Sequence, residues 1–490
     1  MEPLILLLLP LLPLLAAFGL LFIPREKENL IRRIVLGANL ICLTGTVYLF
    51  CRFPLGEGGY QFVFRRAWLP ELGITYQVGV DGIGMTLVLL HALVSTSGAF
   101  VSCWVRERVK EYMIFYLILA ASIYGVFTSL DLFFLYLFYE MSVIPMYPLI
   151  GIWGSPGKEY ASMKLTVYIT AGAVLALAGI VSLYGATGFE TFDLIAIREV
   201  VKQQTVDWGI QRWVTPFILF GFGVIASLWP LHSWSPIGYA AAPSAVSMLH
   251  AGVLKKMGPY LILRIVFTFL PEGARVWFPV IAILATINIL YAAFAAIDQQ
   301  DLKFMVGFSS VSHMGYVLLG ISSGNETALT GTLFLMFSHG VMAASAFALV
   351  GYVYEKTRTR LIPELGGLAK KLPFISTCFV MTALASAGVP GFSNFVSELL
   401  VFLGAWKEYR WAAVLGVIGI LFTAVYLLRA VKKVFFGPLA QNWEGVEDPK
   451  GLLARLPYAL LLGSLLLFGF WPQGLLRIIQ PSAALLAGNF

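Results

Sequence analysis

The chain has 490 residues, 59% hydrophobic and 12% charged, with a net charge of +7 at pH 7. Soluble domains carry about 25% charged and about 45–50% apolar residues, so this chain cannot cover a surface facing water, and a soluble enzyme is excluded. Its basic residues stand singly between apolar runs, which excludes a nucleic-acid patch and makes them a record of membrane orientation.

Residues Met1 to Ile23 lack a positive leader segment and carry Glu2 instead. Their apolar run of about 20 residues is long enough to span a bilayer, so it reads as a first membrane helix and not as a signal peptide. Further apolar segments follow near 31–51, 81–104, 111–130, 131–152, 160–186, 213–236, 243–270, 276–298, 302–323, 327–354, 372–403, 411–436 and 454–475, making fourteen with the first. The split between the fourth and fifth rests on Ser129-Leu130-Asp131. Backbone amides inside lipid must pair within the chain, and long runs without alternation mean helices. The predicted fold is an all-α polytopic membrane bundle. Cys42, Cys51, Cys103 and Cys378 are far apart and show no pairing, which disfavours a disulfide scaffold, a zinc site or a cysteine-held cluster.

Loops after odd-numbered spans hold nineteen Lys and Arg against nine after even-numbered ones, which predicts odd loops in the cytoplasm and both termini outside. Two spans are interrupted. The seventh reads Ser227-Leu228-Trp229-Pro230-Leu231-His232-Ser233-Trp234-Ser235-Pro236, and the twelfth reads Ala387-Gly388-Val389-Pro390-Gly391-Phe392-Ser393-Asn394. Open backbone at membrane depth is tolerated only against protein or a wet cavity. Breaks five spans apart predict two inverted five-helix halves, spans 4–8 and 9–13. The chain then divides into 1–110, an N-terminal three-helix segment; 111–270 and 271–440, the two repeats; and 441–490, the last helix.

An ionisable side chain at mid-membrane costs about 2.5–3.5 kcal/mol even on the lenient insertion scale, so each needs a partner, a cavity or a function. Glu140 lies nine residues into span five, about 13.5 Å deep at a helical rise of 1.5 Å per residue. Lys255 and Lys256 fall mid-span eight, His313 mid-span ten, His339 mid-span eleven and Glu398 after the break of span twelve. His232 lies in the break of span seven and Lys164 one turn inside span six. On a helix, adjacent Lys255 and Lys256 point about 100° apart and cannot face one groove. Carboxylates, amines and imidazoles at one depth in both halves form a polar axis along which protons can hop. Paired His313 and His339 could instead ligate a haem iron, but serines Ser309, Ser310 and Ser312 surround the first and nothing else suggests a haem pocket. No phosphate-binding loop or hydrolase signature occurs, and Gly79-Val80-Asp81-Gly82-Ile83-Gly84 reads as a turn at a span entrance.

Asp131 to Tyr147 (DLFFLYLFYEMSVIPMY), Asp301 to Gly320 (DLKFMVGFSSVSHMGYVLLG), Val350 to Leu368 (VGYVYEKTRTRLIPELGGL) and Val389 to Leu400 (VPGFSNFVSELL) resemble the antiporter-like subunits of respiratory complex I, above all the M type, chain 4 in mitochondria. The Asp81-Gly82-Ile83-Gly84-Met85 entrance and Tyr354 to Arg358 favour M over the L and N types, and the resemblance runs over essentially the whole chain. It implies a fourteen-helix membrane-arm subunit of a proton-translocating NAD(P)H or ferredoxin:quinone oxidoreductase, with helices seven and twelve broken. It further implies no redox site in this chain, with NADH, FMN, iron–sulfur clusters and quinone in partner subunits. The implied partners are L- and N-type and small membrane subunits within the inner or cell membrane, without nucleic acid. The resemblance assigns the proton path to Glu140, Lys256, His313, His339 and Glu398, with Lys255 at a position usually apolar.

One departure stands out. The family's span-seven lysine, seven residues before the histidine of the break, is here Ile225, and no lysine occurs between Trp213 and Ser235. Trp234 to Tyr239 replaces a Trp-Leu-Pro-Asp-Ala-His type run, and His250 leans toward the L-type and cation/proton antiporter relatives. Ile225 deprives Glu140 of its usual cation, so His232, His250, Lys164 or Lys255 are the accessory candidates. Alternatives of other classes are a stand-alone cation/proton antiporter and a non-pumping structural or coupling subunit of a divergent complex.

Overall fold

The computed structural model describes the chain apart from residues 188–190, 204, 205, 441, 442 and 444 and the side chains of 186, 187 and 203. Helices α1 (Glu2–Leu21) and α2 (Glu28–Arg52) lead into an antiparallel hairpin of β1 (Gln61–Leu69) and β2 (Ile74–Val80). This hairpin is the one addition to the all-α expectation among the described residues. There follow α3 (Gly82–Val101), α4 (Val109–Thr128), α5 (Leu132–Trp153), α6 (Lys158–Thr187), the short α7 (Leu194–Gln203), α8 (Trp208–Ile225), α9 (Trp234–Ala241), α10 (Ser244–Gly252) and α11 (Met257–Phe269). The remainder is α12 (Pro271–Asp298), α13 (Leu302–Ser323), α14 (Glu326–Thr357), α15 (Pro373–Ser386), α16 (Ser393–Glu408), α17 (Arg410–Phe435), α18 (Leu452–Phe470) and α19 (Gln473–Ala487).

Among the described residues, eleven helices are long and apolar enough to cross a membrane: α1 to α6, α12 to α14, α17 and α18. The three other expected spans each consist of two shorter helices, α8 with α9, α10 with α11, and α15 with α16. Helix α14 is buried along nearly its whole length and packs against α3, α10, α13 and α16. Outer faces carry the reverse pattern, with Ile144, Val167, Val174, Val181, Leu421 and Val425 exposed, the surface that lipid or an apolar partner covers.

The helix ends follow from local chemistry. Asp131 separates α4 from α5 because its carboxylate accepts from Phe133 N at 2.9 Å and Phe134 N at 3.3 Å, an N-cap that satisfies amides lacking a helical partner. Asp301 caps α13 the same way, accepting from Lys303 N at 2.7 Å and Phe304 N at 3.3 Å. Beside each cap the backbone makes one isolated bridge. Leu132 N–H donates to Phe192 O (2.8 Å) and Leu194 N–H to Leu130 O (2.9 Å), while Leu302 N–H donates to Arg360 O (3.0 Å) and Ile362 N–H to Gln300 O (2.8 Å).

The breaks of spans seven and twelve also share one construction. After α8, Ser227 N–H donates to Val224 O (2.9 Å) and Leu228 N–H to Gly223 O (2.8 Å); after α15, Gly388 N–H donates to Ala385 O and Val389 N–H to Leu384 O, each at 3.1 Å. This is the Schellman pattern, which needs a left-handed residue just past the helix. Gly388 supplies it at φ 65°, and Ser227 adopts φ 61° with its backbone clamped by Asn288 of α12, which donates to Ser227 O at 2.9 Å and accepts from Trp229 N at 2.7 Å.

Two local expectations need correction. Gly79 and Val80 close β2, and Asp81 caps α3 by accepting from Gly84 N at 2.9 Å, so the glycine-rich stretch is a strand–helix junction and not a turn. Span eight is itself interrupted, because α10 ends at Gly252 and Leu254–Lys256 forms a 3-10 turn before α11. The helical geometry assumed for Lys255 and Lys256 therefore does not apply.

Candidate functional site

The three interrupted spans bring their polar residues to the centre of the bundle. Lys255 and Lys256 are both fully buried in the 3-10 turn. Lys256 Nζ donates to Ala251 O at 2.6 Å, a carbonyl freed near the end of α10. Lys255 Nζ points elsewhere, with Ser310 Oγ of α13 at 3.3 Å, Ser235 Oγ of α9 at 3.5 Å and the Tyr239 ring at 5.2 Å. The two amines thus serve different sides of the 3-10 turn.

Beyond the lysines lies an imidazole pair. His339 of α14 stacks on His313 of α13 with centroids 5.1 Å apart and planes 19° apart. His313 Nδ1 meets Ser309 O at 2.8 Å, and Nε2 meets Ser386 O, the last residue of α15, at 3.2 Å. Glu398 of α16 completes the run, its Oε1 3.7 Å from His313 Nε2. Gly388 in the break makes room for it, since a Cβ there would lie 2.7 Å from Glu398 Oε2. A cavity of about 20 Å³ beside His339, lined also by Ser309, Ser310, Thr382 and Ser386, is large enough for one water. Buried His339, His313 and Glu398 therefore stand in sequence toward the second Schellman break, with Lys256 buried in the 3-10 turn of span eight.

The first half is arranged differently. His232 is buried in the break between α8 and α9, edge-on to Tyr291 at 5.1 Å. Lys164 is partly exposed over the rings of Tyr160 (5.6 Å) and Tyr168 (5.9 Å), and the Tyr168 hydroxyl accepts from Ser233 Oγ at 3.3 Å. His250 of α10 is buried between Trp234 and Tyr239, with centroid distances of 5.6 and 5.3 Å. Ile225 is fully buried and packs on α11, where a Cβ at Gly258 would meet its Cγ2 at 2.8 Å. Glu140 stands apart from these groups. It is partly exposed on the outward face of α5 with Leu137 and Ile144, accepts the Tyr136 hydroxyl at 2.6 Å, and forms no ion pair among the described residues. The expected axis through both halves thus becomes a central buried run plus one lateral carboxylate.

Three buried polar features escaped the sequence reading. Lys303, counted there as a loop charge, is buried with Nζ donating to Ala242 O at 2.6 Å. Asp81 and Arg264 form a bidentate buried pair at 2.5 and 2.6 Å, with Tyr60 and Tyr260 on the guanidinium faces. His91 of α3 meets Ala120 O at 2.9 Å, edge-on to Tyr124. Arg264 had a usable signal, since an arginine inside an apolar span requires a counter-charge.

Fold and site define a polytopic helical membrane protein in which a lysine and a glutamate at interrupted spans and two histidines of the continuous α13 and α14 are buried in the bundle. Residues 129–423 match the family described as NADH:quinone oxidoreductase/Mrp antiporter, membrane, and the chain belongs to that family. Among its relatives, NADH-quinone oxidoreductase subunit M of Rhodobacter capsulatus is 34% identical over 493 residues, covering 98% of this chain and 95% of the relative. NAD(P)H-quinone oxidoreductase chain 4 1 of Synechococcus elongatus is 36% identical over 488 residues, covering 98% and 90%. A chain of respiratory complex I from Thermus thermophilus with bound NADH superposes with a TM-score of 0.89 at 28% identity, covering 99% of each chain. A chain of the Mrp complex from Dietzia sp. shares the fold, with a TM-score of 0.87 at 22% identity, covering 99% of this chain and 97% of that one.

Proposed function

We propose that this chain is an M-type membrane-arm subunit of a complex-I-type quinone oxidoreductase and couples quinone reduction elsewhere in the complex to proton translocation. The observation that carries this reading is the buried cluster of His339, His313 and Glu398, with Lys256 buried in the 3-10 turn of span eight, in a chain whose near-full-length relatives bear quinone oxidoreductase names. The proton passes from Lys256 by the stacked imidazoles to Glu398 and on to the external side. NADH, FMN, iron–sulfur clusters and quinone belong to partner subunits; L- and N-type subunits are the membrane neighbours. Glu140, on its outward face, senses charge in an adjoining subunit. A unit charge about 10 Å away at an effective dielectric of about 20 is worth roughly 1.7 kcal/mol, about tenfold in proton affinity.

The fourteen-span topology belongs to the same reading, as eleven continuous spans plus three interrupted ones. Two inverted repeats, 111–270 and 271–440, are supported by the paired Schellman breaks at Ser227 and Gly388 and the paired bridges beside Asp131 and Asp301. Both termini then lie outside.

Replacing Lys256 by alanine tests the reading. In the purified complex reconstituted in vesicles with a pH-sensitive dye, Lys256→Ala is expected to lower redox-driven proton transfer about 10²-fold, the range of a lost acid–base group, with the complex still assembled. Unchanged transfer would remove the proposal. Gly388→Ala is expected to act through Glu398, because the new methyl collides with its carboxylate and sits at a left-handed position that costs about 1 kcal/mol. Proton transfer should drop while assembly is nearly normal; a wild-type rate would show that the carboxylate's placement is unimportant.

A further inference from the structure

A helix leaves its last four carbonyls without partners of its own, and a left-handed residue or water commonly satisfies them. The half-helix α9 ends differently. Its C-cap Ala242 is extended, and Pro243 behind it has no N–H to fold back onto the helix end. Each of the four carbonyls nevertheless has a donor from elsewhere. Tyr239 O accepts from Ser247 Oγ (2.9 Å), Ala240 O from Arg360 Nη1 (2.5 Å), Ala241 O from Ser155 N (2.7 Å) and Ala242 O from Lys303 Nζ (2.6 Å). Two of these donors are cations from the second half of the chain, and positive charge at a helix C-terminus complements the helix dipole. Eight residues are too few to hold a helix by themselves, so the placement of α9 depends on such ties.

Both cations tie the end of α9 to the start of α13. Arg360 Nε donates to Asp301 Oδ2 at 2.7 Å, the carboxylate whose other oxygen caps α13, and Arg360 Nη1 also reaches Ser155 Oγ at 3.2 Å. Lys303 stands in the first turn of α13. Further along, the two helices touch closely, since a Cβ at Gly307 of α13 would lie 3.0 Å from Pro236 Cα of α9. Next comes the seat of Lys255, whose Nζ has Ser235 Oγ of α9 at 3.5 Å and Ser310 Oγ of α13 at 3.3 Å. The contacts run in antiparallel order, Ala242 with Lys303, Pro236 with Gly307, then Ser235 and Ser310 about Lys255. How α9 lies on α13 therefore sets the spacing of the two hydroxyls that hold this amine.

We propose that Arg360 is a positioning residue for proton translocation: with Lys303 it clamps α9 onto α13 and so holds the Lys255 amine between Ser235 and Ser310. Arginine suits the role because it stays charged and its planar fork bonds Asp301 and Ala240 O together. This inference rests on the proton-translocating reading above, and its test separates the two.

The test compares Arg360→Gln, Arg360→Lys and Lys256→Leu in the intact complex in vesicles, reading redox-driven proton transfer, assembly and amide hydrogen exchange over residues 234–242. Glutamine removes the cation, whereas lysine keeps a charge at the end of α9. Arg360→Gln is expected to speed exchange in that segment about tenfold, the effect of losing one charge-assisted hydrogen bond. Its proton transfer should fall about tenfold with assembly normal, since small misplacements are felt strongly in transfer steps. Arg360→Lys is expected to recover most of both. Faster exchange with normal transfer, lower transfer with unchanged exchange, or a loss that lysine does not recover would each overturn the proposal. Transfer that falls only in step with the amount of assembled complex would make Arg360 a purely structural tie and overturn it as well. Normal transfer in Arg360→Gln beside an impaired Lys256→Leu removes the clamp alone, and normal transfer in both removes the translocation reading too. If Arg360→Gln does not assemble, Asp301→Asn decides in its place by the same readouts, because it removes the charge that holds Arg360 and keeps an oxygen to cap α13.

Discussion

Glu398→Gln is expected to abolish proton release through this subunit, by about 10²-fold or more, while leaving the complex assembled. Glu398 is 2% exposed and lies 3.7 Å from His313 Nε2. Among the described residues no arginine or lysine forms an ion pair with it, so the carboxyl can gain and lose a proton as the neighbouring imidazole changes state. Glutamine has the same shape and hydrogen-bonding reach but no exchangeable charge. Packing should therefore survive, and only the chemistry should fail. Counting protons released per quinone reduced in vesicles checks this; a glutamine variant with the wild-type ratio would show that the outlet runs elsewhere.

Asp81→Ala is expected to give the largest stability loss of any single change considered, about 3–5 kcal/mol. The cost arises because Arg264 is 5% exposed and loses both bonds of its bidentate partner, leaving a buried guanidinium without a counter-charge. Losing the cap on α3, where Asp81 accepts from Gly84 N at 2.9 Å, adds about 1 kcal/mol. Thermal inactivation of the purified complex and the amount of this subunit recovered in it are the measurements. The double change Asp81→Asn with Arg264→Met should recover much of the loss, because it removes the orphaned charge together with its partner and keeps a capping oxygen. If the double variant is as unstable as Asp81→Ala, the pair contributes by something other than mutual charge compensation.

Much of the architecture is legible along the chain. The continuous spans, the Asp131 split and the breaks at His232 and near Gly388 all follow from apolar run length, capping residues and proline or glycine placement. The second break of the first half was hidden, because the turn at Leu254–Lys256 has no proline or glycine within it and its only mark is two lysines in an apolar run. The hairpin Gln61–Val80 was hidden as well, since short strands stabilised by each other and by their surroundings carry little periodic signal. Of the candidate residues, the fold brings His313, His339 and Glu398 together and sets Glu140 apart on the outward face of α5, because helix rotation and crossing, not position along the chain, decide which polar groups meet.

The division has a physical basis. A bilayer forces each segment to satisfy its own backbone hydrogen bonds, so span length, polarity and interruption are properties of consecutive residues and can be read from the sequence alone. Which buried charges meet depends on how helices distant in the chain rotate and cross. Only the tertiary structure pairs Asp81 with Arg264, buries Lys303 against Ala242, and turns Lys255 toward Ser235 and Ser310 while Lys256 bonds Ala251. The 12% of charged residues that excluded a soluble protein thus separate into two groups: most are loop charges set by position along the chain, and a few are buried groups whose chemistry depends on the partners that packing supplies.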